Sequence, residues 1–207
     1  MKNIDIYNWK RGKHFDYFKS FDNPSFSVNV NIDITLLIDK IKKQDLKFFP
    51  SILFVIIKGM NEVEELKYRI DNDKVLLYDV IHPSYTVLNK EENFVFCHTE
   101  FNADFSLFYQ QVLNDIEKAK LGDNLEDEEG VFNLVFVSSV PWISFNSVSH
   151  PFSKKENLSI PRVTFGKYFE NNNRVLLPFS IQVHHGLCDG LHIGKLLNNI
   201  ESSIKEF

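Results

Sequence analysis

The chain has 207 residues, 43% of them hydrophobic, enough to bury a sizeable core without disulfides or a structural metal. Its formal charge is −5, with Lys and Arg scattered among acids rather than gathered in a basic stripe, which argues against nucleic-acid binding. The two cysteines, Cys97 and Cys188, sit in apolar contexts without Cys-x-x-Cys or paired-histidine spacing, so they read as reduced thiols with no zinc site. Met1-Lys2-Asn3-Ile4-Asp5 is not an apolar signal region, and the longest apolar run, residues 52–57, is too short to cross a bilayer; a cytoplasmic protein is expected.

Residues 14–21 carry apolar side chains at helical spacing. Phe26, Val28, Val30 and Ile32 alternate with polar residues, as a half-buried strand does. Residues 36–41 and 52–63 read as helices. Residues 74–80, 85–88 and 93–97 read as strands separated by turn-forming residues. Residues 104–121 form the clearest amphipathic helix, followed by an acidic stretch, 122–130, read as a solvated loop. Residues 132–140, 162–169 and 175–184 supply the last strands, and 191–204 a closing helix. Strands outnumber helices without strict alternation, which points to one α+β domain spanning residues 1–207, a two-layer sandwich of a mixed sheet covered by helices. The 20 phenylalanines are core packing in the main, with a few available to line an apolar pocket.

The densest chemistry lies in Gln182-Val183-His184-His185-Gly186-Leu187-Cys188-Asp189-Gly190. An alternating strand runs into two histidines, and His185 and Asp189 form an H-x-x-x-D pair followed by glycine at a strand-to-helix junction. An imidazole can take and return a proton near neutral pH, as activation of a hydroxyl for acyl transfer demands. A histidine pair alone is more often core or surface filling. The whole string, with its carboxylate and glycine, carries the catalytic reading.

This string resembles the Q-V-H-H-x-x-C-D-G signature of the trimeric chloramphenicol acetyltransferases, and the resemblance extends along nearly the whole chain. Trp9-Lys10-Arg11-Gly12-Lys13-His14-Phe15 is similar to that family's W-x-R-x-x-H-F, residues 31–35 to x-x-D-I-T, and Lys47-Phe48-Phe49-Pro50 to K-F-Y-P. His82-Pro83-Ser84-Tyr85-Thr86-Val87 is similar to H-P-x-Y-T-V, Ser138-Ser139-Val140-Pro141-Trp142 to S-x-x-P-W, and Thr164-Phe165-Gly166-Lys167-Tyr168 to T-x-G-K-Y. Acyltransferase subunits of 2-oxo acid dehydrogenase complexes share a similar fold and an H-x-x-x-D-G motif, but not the Arg11, Lys47 and Lys167 signatures.

The resemblance implies acetyl-CoA as cosubstrate, no metal, and a homotrimer whose active sites are shared between neighbouring subunits. It makes His185 the general base of a direct transfer, Ser138 the oxyanion donor and Thr164 the holder of an ordered water near that oxyanion. Asp189 pairs with Arg11 to fix the loop that carries His185, and His184, on the other face of the strand, is structural. Lys47 and Lys167 fall at phosphate-contacting positions, with Phe49 and Tyr168 beside them to stack on adenine. Phe18, Phe26, Phe94, Val148, His150, Phe152 and Arg162 fall where the family packs its acceptor. Here the match is weakest. His150 and Arg162 introduce polarity, and Arg162 turns either into the pocket or outward to solvent or CoA. The implied activity is O-acetylation of chloramphenicol. The alternatives are the same chemistry on another small hydroxyl acceptor, or a non-catalytic homologue that binds a small ligand.

Overall fold

The computed structural model describes residues 1–123, 125, 130–151, 153 and 157–207. A central mixed sheet is formed from β2 (Ser25–Asp33), β5 (His82–Leu88), β6 (Phe94–His98), β7 (Leu134–Val140), β8 (Arg162–Gly166), β9 (Phe169–Asn171) and β10 (Arg174–His184). Its order is β2-β10-β8-β7-β5-β6, with β9 paired to the start of β10. The β5–β7 and β7–β8 pairs are parallel and the others antiparallel. A separate three-stranded sheet, β1 (Lys2–Asn3), β4 (Lys74–Leu77) and β3 (Tyr68–Asp71), is built around a hairpin.

Period-two patterning decides which face of the large sheet is covered. On β10, Leu177, Phe179, Ile181 and Val183 point to one side, where they join one apolar cluster with α2 (Thr35–Gln44), α3 (Phe48–Asn61), α4 (Phe105–Ala119) and α5 (Gly190–Glu206). Phe26, Val28, Val30 and Ile32 of β2 pack against the same cluster, while Ser27, Asn29 and Asn31 are exposed. α3 is apolar nearly all round because it lies between the sheet and α4 and α5. The two-layer α+β architecture expected from the element pattern is therefore the one present. No helix among the described residues is long and apolar enough to cross a membrane.

Several boundaries differ from the sequence reading. The first helix, α1, runs Gly12–Phe18 rather than 14–21, and α3 begins at Phe48 because Pro50, in its first turn, has no intrahelical partner to forfeit. The strand expected over 74–80 ends at Leu77 and belongs to the small sheet, and β1, β3 and β9 were not anticipated. Part of the acidic stretch, residues 124 and 126–129, lies outside the described residues. Pro178 sits within β10, where β9 pairing has ended at Leu176 and β8 pairing has yet to begin at Phe179, so its missing N–H has only β2 to answer to.

The strand-to-helix turn at Asp33-Ile34-Thr35 is held by side chains. Asp33 Oδ1 accepts from Thr35 N at 3.0 Å and from Thr35 Oγ1 at 2.6 Å, and Thr35 Oγ1 accepts from Val175 N at 2.9 Å. This segment of the family resemblance is thus a device for closing the sheet onto α2.

Candidate active site

β10 delivers the candidate catalytic segment. The strand ends at His184, and a tight turn follows in which Leu187 N and Cys188 N both donate to the His184 carbonyl at 3.0 Å. The turn requires its glycine at 186, where a Cβ would come within 3.2 Å of the Phe15 backbone and about as close to the His184 ring. At Gly190 a Cβ would meet nothing within 4 Å among the described residues, so none of them demands glycine there.

His185 N donates to the Pro24 carbonyl at 2.8 Å, and its ring lies between two phenylalanines: stacked on Phe18 with centroids 4.4 Å apart, tilted on Phe26 at 4.5 Å. Its Nδ1 is 3.3 Å from the Cys188 carbonyl oxygen. A carbonyl only accepts, so Nδ1 carries the hydrogen in this contact and Nε2 keeps a free lone pair. His184 faces the other way. It is buried, its Nδ1 accepts from Gly186 N at 3.1 Å, and desolvation depresses its pKa to about 4. The Cys188 thiol is pushed up to about 12, chiefly by burial, and is therefore neither a thiolate nor a nucleophile at neutral pH.

Asp189 caps α5, its Oδ1 accepting from Leu191 N at 3.0 Å. Its Oδ2 accepts from Arg11 Nη1 at 2.7 Å, and Arg11 Nη2 donates to the His185 carbonyl at 3.1 Å. The buried guanidinium thus ties the helix cap to the backbone of the histidine. Burial works to raise the carboxyl's pKa, but the hydrogen bond from Arg11 and the surrounding charges outweigh it and hold Asp189 below the ordinary carboxylate range. The Asp189 carboxylate is engaged by Arg11 and Leu191 N, and the His185 ring by the Cys188 carbonyl, so hydrogen bonding among the described residues does not make a Ser-His-Asp relay.

A second cluster lies on the sheet face opposite the helices. Cross-strand register aligns Ser180, Thr164 and Ser138 in one row, and Gln182, Arg162 and Phe136 in the next. Beside them is a cavity of about 650 Å³ whose lining includes Ser138, Phe49, Phe94, Trp142, His150 and Arg162. Arg162 lies over the Phe136 ring, 5.4 Å from its centroid. His150 Nε2 is 3.0 Å from Thr164 Oγ1, and burial, then the Arg162 charge, lowers its pKa. Arg162 therefore lines the cavity rather than turning outward. Val148 is half-buried, and Phe152 lies outside the described residues. The loop over this face needs the glycine of T-x-G-K-Y, since a Cβ on Gly166 would stand 2.6 Å from the Ile143 carbonyl.

Register separates the two clusters. Ser180 is level with Thr164 and Ser138, and His185 follows Ser180 by five residues, about 16 Å along the sheet and about 10 Å across it from Ser138. Within one chain His185 and Ser138 cannot act on the same carbonyl.

The family model for chloramphenicol acetyltransferase matches residues 1–201. The chain belongs to the chloramphenicol acetyltransferase family. A chloramphenicol acetyltransferase of Proteus mirabilis is 34% identical over 206 residues, covering 98% of this chain and 94% of the relative. One of Clostridium perfringens is 35% identical over 201 residues, covering 96% and 92%. A solved chloramphenicol acetyltransferase superposes with a TM-score of 0.91 at 27% identity, covering 98% of this chain and 99% of the other. The dihydrolipoamide acetyltransferase of Azotobacter vinelandii, at 14% identity and a TM-score of 0.69, shares the fold, covering 93% and 85%.

In this family member the two lysines lie at one end of the sheet. Lys47 is exposed at the N-cap of α3, and Lys167 is exposed just past β8. Phe48 bridges them by packing on Tyr168 with centroids 5.3 Å apart. Phe49 instead packs on Tyr85 and Phe165 and faces the cavity, so the two aromatics expected to flank one adenine point to different places. Sequence reasoning did not foresee the pairing of His150 with Thr164. It also passed over His192, whose position three residues after the Asp189 cap is capping-box spacing and was a readable signal.

Proposed function

We propose that the protein is an acetyl-CoA-dependent O-acetyltransferase of the cytoplasm, acting on chloramphenicol or a closely similar alcohol, and that residues 1–207 form one domain of a homotrimer. The observation that carries the mechanism is the His185 ring with Nδ1–H held by the Cys188 carbonyl and Nε2 free, the form a general base needs. Nε2 takes the acceptor's hydroxyl proton as the oxygen attacks the thioester carbonyl. Ser138 donates to the resulting oxyanion, supported by Thr164, and collapse expels the thiolate, to which the same imidazole returns its proton. No acyl-enzyme is required, and the only cysteine in the segment is a buried neutral thiol.

The trimer reading draws support from the separation of His185 and Ser138. A site that needs both is complete only when His185, with Phe18 and Phe26, of one subunit faces the Ser138 cavity of a neighbour. Phe94, Val148, His150 and Arg162 then enclose the acceptor. Lys47, at a helix N-terminus that itself favours anions, and Lys167 receive the CoA phosphates, with Phe49 and Tyr168 along its path. A thiol-release assay with acetyl-CoA and a panel of alcohols, combined with sedimentation, tests the reading. Turnover of chloramphenicol by a trimer is expected. A monomer with full activity would overturn the shared site, and turnover of another alcohol alone would overturn the acceptor.

A further inference from the structure

The contacts behind the Asp189–Arg11 pair continue deeper into the molecule than a single ion pair demands. Glu65, in the short 3₁₀ turn Glu64–Lys67, is 5% exposed, and its Oε1 accepts from Lys10 Nζ at 3.1 Å and lies 3.3 Å from His192 Nε2. His192, also 5% exposed, sits in the first turn of α5, where its Nδ1 accepts from the Asp189 backbone N–H at 3.0 Å. A nitrogen that accepts has no hydrogen, so the ring's proton is on Nε2 and is directed at Glu65. The imidazole is a connector with both nitrogens engaged, and burial favours its neutral form. Nδ1 also lies 3.0 Å from Asp189 Oδ1, so this edge of the ring faces both the N–H and the carboxylate of the cap residue, and only the N–H makes a directed hydrogen bond to it.

Lys10, Glu65, His192, Asp189 and Arg11 therefore make one chain of contacts that ends on the His185 carbonyl. It joins the segment before α1, the 3₁₀ turn and the start of α5 at the turn that presents the imidazole. A buried carboxylate is costly unless paired and hydrogen-bonded, and a helix cap alone does not need one behind it.

We infer that Glu65 and His192 are positioning residues of acyl transfer, holding the Asp189 backbone and, through Asp189 and Arg11, the orientation of the His185 ring. The inference rests on the reading of His185 as base. If it served only to stabilise α5, its loss would lower the unfolding midpoint and leave turnover alone.

The test uses the full-length enzyme with Glu65→Leu, Glu65→Gln, His192→Leu and His192→Gln. Glutamine at 65 keeps an acceptor for Nε2–H, and glutamine at 192 is a capping-box residue able to accept the Asp189 N–H. Both leucine variants should lose kcat with little change in either KM, by up to about 100-fold, the cost of misplacing a catalytic group by about 1 Å. The glutamine variants should recover most of it. In ¹⁵N imidazole spectra the leucine variants should move His185 from the Nδ1–H tautomer towards the Nε2–H tautomer that an unconstrained histidine side chain prefers. Unchanged kcat with a lowered unfolding midpoint would overturn the inference, as would glutamine variants no better than leucine. Should the leucine variants not fold, wild-type spectra decide: His192 carrying its proton on Nδ1 overturns it. A wild type that acetylates no alcohol sinks the base reading, while the His185 tautomer still reports whether Glu65 and His192 position the ring.

Discussion

Asp189→Ala separates a positioning role from a chemical one. The substitution removes the cap on α5, worth about 1 kcal/mol, and leaves the Arg11 guanidinium without its carboxylate. Breaking a fully buried pair costs about 3–5 kcal/mol, but Asp189 is 33% exposed, so water reaches the site and about 2–3 kcal/mol is the better figure. A total loss of about 3–4 kcal/mol is a large share of the roughly 5–15 kcal/mol that stabilises a typical domain. At about 2–4 °C per kcal/mol for a chain of this size, the Tm should fall by about 10 °C. Asp189→Asn keeps an N-cap side chain and should lose about 1 kcal/mol less. Arg11→Met combined with Asp189→Asn removes both charges and should regain most of the stability, yet kcat should stay low because the donor to the His185 carbonyl has gone. Urea denaturation at fixed protein concentration, run beside thiol-release kinetics, measures both quantities. Full stability in Asp189→Asn together with a kcat as low as that of His185→Ala would show Asp189 to be part of the proton transfer and refute the argument.

His185→Ala should abolish transfer while leaving CoA binding, measured by calorimetry, nearly unchanged, and His184→Ala should reduce turnover far less once folding is matched; the reverse order would misplace the base. Ser138→Ala should lower kcat by a factor equivalent to about 2–4 kcal/mol with both KM values held, since the hydroxyl is needed only when the carbonyl oxygen becomes negative, and a KM rise alone would make Ser138 a binding residue. Arg162→Val should lower KM for chloramphenicol and not for acetyl-CoA, because Arg162 lines the Ser138 cavity; a change confined to acetyl-CoA would move it to the cofactor path. Stability should fall in acid through His184. Its folded pKa of about 4 lies below the ordinary histidine value of 6.5, so the unfolded chain binds more protons between these limits. The His184 contribution is thus full above about pH 6.5 and lost as pH falls towards 4, on the order of 3 kcal/mol in all, and denaturation of His184→Asn against wild type across that range isolates it.

What was legible in the chain was local. The alternation of β2, the amphipathic run of α4 and the nine-residue string from Gln182 to Gly190 each carry their pattern within a few turns or strand periods, and each holds in the structure. Short strands that exist only through distant partners were not legible: β1 has two residues and is a strand because Lys2 and Asn3 pair with Leu77 and Leu76. Arg69 escaped for the same reason. It reads as a surface charge, but it is fully buried, its pKa pushed down to about 9 by desolvation, and it donates to the carbonyls of Leu66, Tyr68, Phe132 and Leu134.

The same limit governs the site. Residues 185 and 189 are bound together by one turn and one cap, so their spacing in the sequence is already their geometry. Ser138 and His185 are related only through register across β7, β8 and β10, which no local pattern encodes, and that register holds them apart. A sequence motif can therefore be complete while the site it names is not. The five-residue offset beyond Ser180 places His185, the proposed base, at the rim of the sheet between Phe18 and Phe26, and leaves Ser138 beside a cavity. Under the proposed mechanism each of these two surfaces holds half of one reaction, which is the arrangement a site shared between copies of one chain would have.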